Sequence, residues 1–106
     1  MSNRQLTEKQ RAAIRWVAAL RSGRYNQCIG AATRAHKDGR MEHCAIAAFY
    51  AEIGVPHDYW LEDVKALFGA ELLASVIDMN DSRRQSFAEI ADYIEEMVLA
   101  ELRVMA

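Results

Sequence analysis

Cys44, Gln27 and the histidines are the residues whose types could carry a reaction. Cys44 is expected at or just inside the start of a helix, where unpaired backbone N–H groups favour a thiolate. Gln27 could donate a hydrogen bond to a developing oxyanion. His36, His43 or His57 could act as a base. No cysteine-enzyme signature surrounds Cys44, and an alanine-rich helix equally accommodates a free Cys as a small buried hydrophobe. We therefore assign no catalytic residue. Cys28, His36, His43, Cys44 and His57 are also zinc-type ligands. The only close pair among them, His43-Cys44, is adjacent in sequence and seldom shares one ion, so no metal and no cofactor is expected. A Cys28–Cys44 disulfide is geometrically conceivable, but two cysteines make no disulfide scaffold, and an N-terminus without an apolar h-region points to a cytoplasmic chain with reduced thiols.

Asn80 and Asp81 flank a predicted helix break, and with Gln27 and Cys44 they form the polar set that could converge on one pocket. Charge supplies a second candidate surface. Residues 1–40 carry a net +7 and residues 41–106 a net −9, within 106 residues of overall charge −2. Arg11, Arg15, Arg21, Arg24, Arg34 and Arg40 could meet an anion or an acidic partner face, and Arg83-Arg84 could do so beside a helix N-terminus. The alternative is that the basic part packs beside the acidic part of its own chain or of a second copy. An isoelectric point near 5.9 counts against a dedicated nucleic-acid domain.

These residues must be positioned by helices. Hydrophobic residues make up 52% and charged residues 26%, the balance of an ordinary soluble domain. No apolar run reaches membrane-spanning length. Thr7 to Gln10 has capping-box spacing and predicts a helix over 8–21, with Ala13, Trp16, Val17 and Leu20 inward and a stop near Gly23. Residues 25–43 predict at most one short hairpin with its turn near Asp38-Gly39. Residues 42–53, apolar nearly all round, predict a buried central helix ended by Gly54. A short helix from an Asp58 cap to Phe68 follows, and Trp60 beside it is a core anchor or an interface residue. A further helix over 70–79 has Leu72, Leu73, Val76 and Ile77 inward and breaks at Asn80-Asp81. Ser86 to Glu89 is a second capping box, opening a helix over 87–104 with Phe87, Ile90, Ala91, Ile94, Met97, Val98 and Leu102 inward. The sum is a mainly α single domain over 1–106, a compact bundle of about five helices.

The pattern W-V-A-A-L-R-S-G-R-Y-N-Q, then a Gly, a turn and a Cys opening a helix, then M-N-D-S-R-R-Q-S-F-A-E-I-A-D-Y-I-E, resembles a family of small bacterial, phage and prophage proteins of unassigned activity. The resemblance covers residues 14–96. It rests on Trp16, Gly23, Tyr25, Gln27, Gly30, Cys44, Asn80, Asp81, Phe87 and Ile90. The chain departs from it at Cys28, where relatives have Gly, and at His43-Cys44 and Ile46, where relatives have a Cys pair and a nearby Gly. The resemblance implies a mobile-element setting. Small proteins of that kind commonly act by binding a host macromolecule, as an inhibitor, an anti-defence protein or an adaptor. A protein partner is thus expected first. The alternatives are a small-ligand or cysteine-dependent pocket at Gln27, Cys44, Asn80 and Asp81, and nucleic-acid binding through the basic third. Membrane association is not expected, and a homodimer is compatible with the charge segregation.

Overall fold

The computed structural model describes residues 6–30, 33–35, 39, 41–53 and 60–100, and of residues 60–63 the backbone alone. Helix α1 spans Glu8–Arg21. Its N-terminus is closed by the predicted capping box: Gln10 N–H donates to Thr7 Oγ1 at 3.0 Å and Thr7 N–H to Gln10 Oε1 at 2.9 Å. These bonds satisfy two donors that the first helical turn leaves open. Gly23, with φ +79°, stops the helix in the left-handed conformation that glycine adopts without cost.

Three short strands follow: β1 (Asn26–Gln27), β2 (Thr33–Ala35) and β3 (Met41–His43). β2 and β3 form the expected antiparallel hairpin, with Gly39 between them at φ +88°. Asp38 of the predicted turn lies outside the described residues. The sheet exceeds the hairpin by one strand, because β1 pairs parallel to β3 with Asn26 opposite Glu42 and Gln27 opposite His43. Two polar residues carry no alternation, so periodicity is blind to this strand.

Helix α2 (Ala45–Ile53) is the buried central helix, with every residue from Ala45 to Tyr50 inaccessible. Helices α3 (Trp60–Phe68) and α4 (Ala70–Ile77) are separated only by Gly69, at φ +93°. Helix α5 (Phe87–Ile94) opens with the second capping box, in which Glu89 N–H donates to Ser86 Oγ at 3.2 Å and Ser86 N–H to Glu89 Oε1 at 3.0 Å. Helix α1 packs against both α2 and α5. At its centre the Trp16 ring lies 5.2 Å from each of Phe49 and Phe68, and its indole N–H donates to Ala45 O at 2.9 Å. A buried indole thus gains aromatic packing without stranding its donor. The Trp60 side chain, Gly54, His36, His57, Asp58, Arg40 and Leu102 fall outside what is described.

Two π-helical turns extend the predicted helices, and the second changes which face points inward. The first, Asp78–Ser82, continues α4 through the expected break, and Arg83 N–H closes it on Asp78 O at 2.9 Å. Asn80 therefore ends no helix. Its side chain bonds other segments, and the left-handed residue is Arg84, at φ +52°. The second π turn, Glu95–Leu99, continues α5. A π turn spends an extra residue per turn and so rotates everything beyond it. Met97, predicted inward, is 60% exposed, whereas Leu99 is 7% exposed and packs in the core. Ile77, also predicted inward, lies at the surface.

This phase shift makes the two apolar residues unequal. Leu99→Ala should cost about 2–4 kcal/mol through the cavity it leaves, and Met97→Ala should stay within about 0.5 kcal/mol, as read by urea unfolding. The cap adds a pH term. The Glu89 carboxylate is held below the usual carboxylate range, first by the Ser86 backbone N–H and then by the Ser86 hydroxyl. Its contribution is present above the unfolded-state value and lost as pH falls through the lower folded value. Glu89→Gln should therefore flatten the acid side of a stability–pH curve while leaving its alkaline side unchanged.

Candidate functional site

The polar residues singled out in the sequence do converge, and Asn80 is their centre. It is 2% exposed, one of two buried polar residues among those described. It lies in the turn Asp78–Ser82, on the inward face that α4 begins, at the seam between the small sheet and the start of α2. Asn80 Oδ1 accepts from Gln27 Nε2 at 3.0 Å and from Ala45 N–H at 3.2 Å. Asn80 Nδ2 donates to Cys28 O at 2.8 Å and to Asp81 Oδ1 at 2.7 Å. Both acceptor and both donor positions of the carboxamide are thereby occupied.

The neighbours extend the network. Asp81 Oδ1 also accepts from Gly30 N–H at 3.0 Å, and Gln27 Nε2 also donates to Gln85 O at 2.6 Å. Cys28 N–H donates to His43 O at 2.8 Å, prolonging the parallel pairing by one bond. Cys44 is the N-cap of α2: its Sγ accepts from Ala47 N–H at 3.4 Å, and its carbonyl accepts from Ala48 N–H at 2.9 Å. Gln27, Cys44, Asn80 and Asp81 thus tie β1, the π turn and the head of α2 into one unit. The bonds made by Gln27 Nε2, the Asn80 carboxamide, Asp81 Oδ1 and Cys44 Sγ go to one another and to backbone.

The thiol fits that use. Burial pushes the Cys44 pKa up, and the backbone N–H groups of Ala47 and Ile46 offset this only in part. Desolvation disfavours the thiolate more than the helix head favours it. Around His43 the contact is aromatic, an edge-on approach to the Tyr25 ring at 5.3 Å. Among the described residues no group of three or more His, Cys, Asp or Glu is placed to hold a metal ion.

The arginines separate into two sets. Arg21 donates to Asp92 at 2.6 Å and to Glu95 at 3.0 Å, and Arg24 pairs with Glu52, which also accepts from the Tyr25 hydroxyl. Arg83 pairs with Asp78 at 2.9 Å. These three are committed to the acidic part of their own chain. Arg11 donates to Leu6 O, Arg15 to Glu52 O and Arg34 to Ile29 O, all backbone carbonyls. Arg84 is exposed. Arg11 and Arg15 stand one turn apart at the edge of a groove of about 350 Å³ that Ala12, Phe49, Ile53 and Leu67 also line, with Glu8 one turn before Arg11. Sequence reasoning named these arginines, but it missed the groove, which needs three helices to exist. No helix among the described residues is long and apolar enough to cross a membrane.

Asn80→Ala should cost about 2–4 kcal/mol, since it leaves the Ala45 N–H and the Cys28 carbonyl buried without partners. Gln27→Ala, at a half-buried position, should cost about 1 kcal/mol. Alkylation of native protein by iodoacetamide should be slow at neutral pH and quicken only above the usual thiol range. It should accelerate in the Asn80→Ala variant, whose helix head is loosened.

No family model matches the chain, and no match was found among curated proteins or solved structures.

Proposed function

We propose that this chain is a non-enzymatic binding protein that engages an acidic segment of a protein partner through the groove between α1, α2 and α3. The observation that carries this reading is the pairing of Arg11 and Arg15 with an apolar floor. Both guanidinium groups are exposed, and among the described residues both donate to carbonyl oxygens rather than to carboxylates. Ile14, on the same outward stripe of α1, is 40% exposed and adds apolar surface beside them. Two arginines and one acid, Glu8, around an apolar floor leave a net basic rim, complementary to an amphipathic segment bearing acids. Recognition of a nucleic-acid backbone draws instead on a row of phosphate contacts, and Arg21 and Arg24 are taken up by Asp92, Glu95 and Glu52. The polar cluster around Asn80 supports the same reading, because its side chains serve the fold.

The resemblance to phage and prophage proteins supplies a setting for such binding: stoichiometric inhibition of a host or defence protein, or an adaptor role. Cytoplasmic action would follow from that setting.

The test is capture from host lysate with the wild-type chain and with an Arg11→Glu/Arg15→Glu variant. The exposed substitutions should leave stability within about 0.5 kcal/mol of wild type at each position. A stoichiometric protein retained by the wild type and lost with charge reversal is the expected result. Identical captured material from both chains would overturn the groove. Nuclease-sensitive material whose retention falls steeply with salt would replace the protein partner with nucleic acid.

A further inference from the structure

The network around Asn80 also brings the two cysteines together, independently of any partner. β1 and β3 run parallel, with Gln27 opposite His43, and Cys28 and Cys44 are the next residues on each. The Cys28 N–H bond to His43 O carries the pairing up to that rung. One carboxamide then holds both sides of it, since Asn80 takes Cys28 O on Nδ2 and Ala45 N–H on Oδ1. Neighbouring strands lie roughly 4.8 Å apart, inside the roughly 4.4–6.8 Å window of Cα separations that a disulfide spans. Residues opposite each other on parallel strands project to the same face, and both cysteines turn to the buried side, Cys28 at 1% and Cys44 at 7% exposure. Both are free thiols.

We infer that Cys28 and Cys44 form an oxidisable dithiol that a low-molecular-weight disulfide converts into an intramolecular bridge. Cys44 is the attacking residue. It is the more exposed of the two, and as N-cap of α2 it has the Ala47 N–H directed at its sulfur, a position that favours the anion formed when the thiol ionises. Burial raises the Cys44 pKa most, and a negative charge on Cys28 adds to that rise, as expected of a near neighbour. In the first step the Cys44 thiolate attacks one sulfur of the small disulfide. A mixed disulfide forms, and one small thiolate leaves. In the second step the Cys28 thiolate attacks Cys44 Sγ. The Cys28–Cys44 bond forms as the second small thiolate leaves. The two protons lost by the protein thiols end on the two released thiols. The protein loses two electrons, and the small disulfide gains them.

The bridge would close a ring over residues 28–44 that contains the β2–β3 hairpin, and it would fasten the sheet to the head of α2 covalently. Burial makes its formation slow at neutral pH and faster as the medium becomes alkaline.

The experiment treats the full chain with excess cystamine, quenches with acid, unfolds, alkylates residual thiols and reads the intact mass. A species lighter by two hydrogens, with no alkylated thiol and no retained cystamine half, is the expected product. Cys28→Ser should stop at one mixed disulfide on Cys44, and Cys44→Ser should remain largely unmodified. If either serine variant unfolds, Cys28→Ala and Cys44→Ala replace them. Two mixed disulfides on one chain, or a disulfide-linked dimer on a non-reducing gel, would overturn the pairing. So would two thiols still free after prolonged incubation in sub-denaturing urea, where opening of the core no longer limits the reaction.

Discussion

The Asn80 carboxamide meets backbone from two separate parts of the chain, and each of those groups is buried. Cys28 O belongs to the end of β1 and Ala45 N–H to the first turn of α2. A buried peptide group without a partner costs about as much as a lost hydrogen bond. A two-residue parallel strand cannot stand alone, and a helix head leaves its first N–H groups open. Asn80 answers both needs from a third segment, the π turn after α4. The position of the sheet on the helical bundle depends on that one side chain, and Gln27, Asp81 and Gly30 reinforce it.

Continuation of the helix past Ile77 is what lets an asparagine do this. Asn80 stays on the inward face that Leu72, Leu73, Val76 and Met79 share at ordinary helical spacing, and the turn Asp78–Ser82 prolongs the helix far enough to seat it in the seam. The same device recurs after α5, where it rotates Met97 out and Leu99 in. Both turns extend helices whose first residues follow ordinary 3.6-residue periodicity; α4 keeps its face through Asn80, whereas α5 ends with a different face inward.

Charge is organised more simply. The segregated sequence folds so that its basic first third meets its acidic remainder, through Arg21 with Asp92 and Glu95 and through Arg24 with Glu52. Exposed pairs of this kind add little stability, but they occupy the arginines concerned. The edge of α1 at Arg11 and Arg15 is the part of the basic segment that instead borders an apolar groove.

What the sequence determined by itself is local. Capping boxes at Thr7 and Ser86 set the starts of α1 and α5, because each cap is completed within four residues. The bounds of α1, the buried character of α2 and the hairpin within 25–43 were legible for the same reason: periodicity, glycine placement and turn chemistry act over short spans. The polar residues Gln27, Cys44, Asn80 and Asp81 were legible as a set, but their role was not. Whether four polar side chains form an open pocket or bond to one another depends on distances between segments as many as 53 residues apart. Only the tertiary structure decided that, along with the β1 strand, the outward turn of Met97 and the groove beside Arg11 and Arg15. Each arises where one segment satisfies or crowds another, and no pattern within a single segment encodes such a meeting.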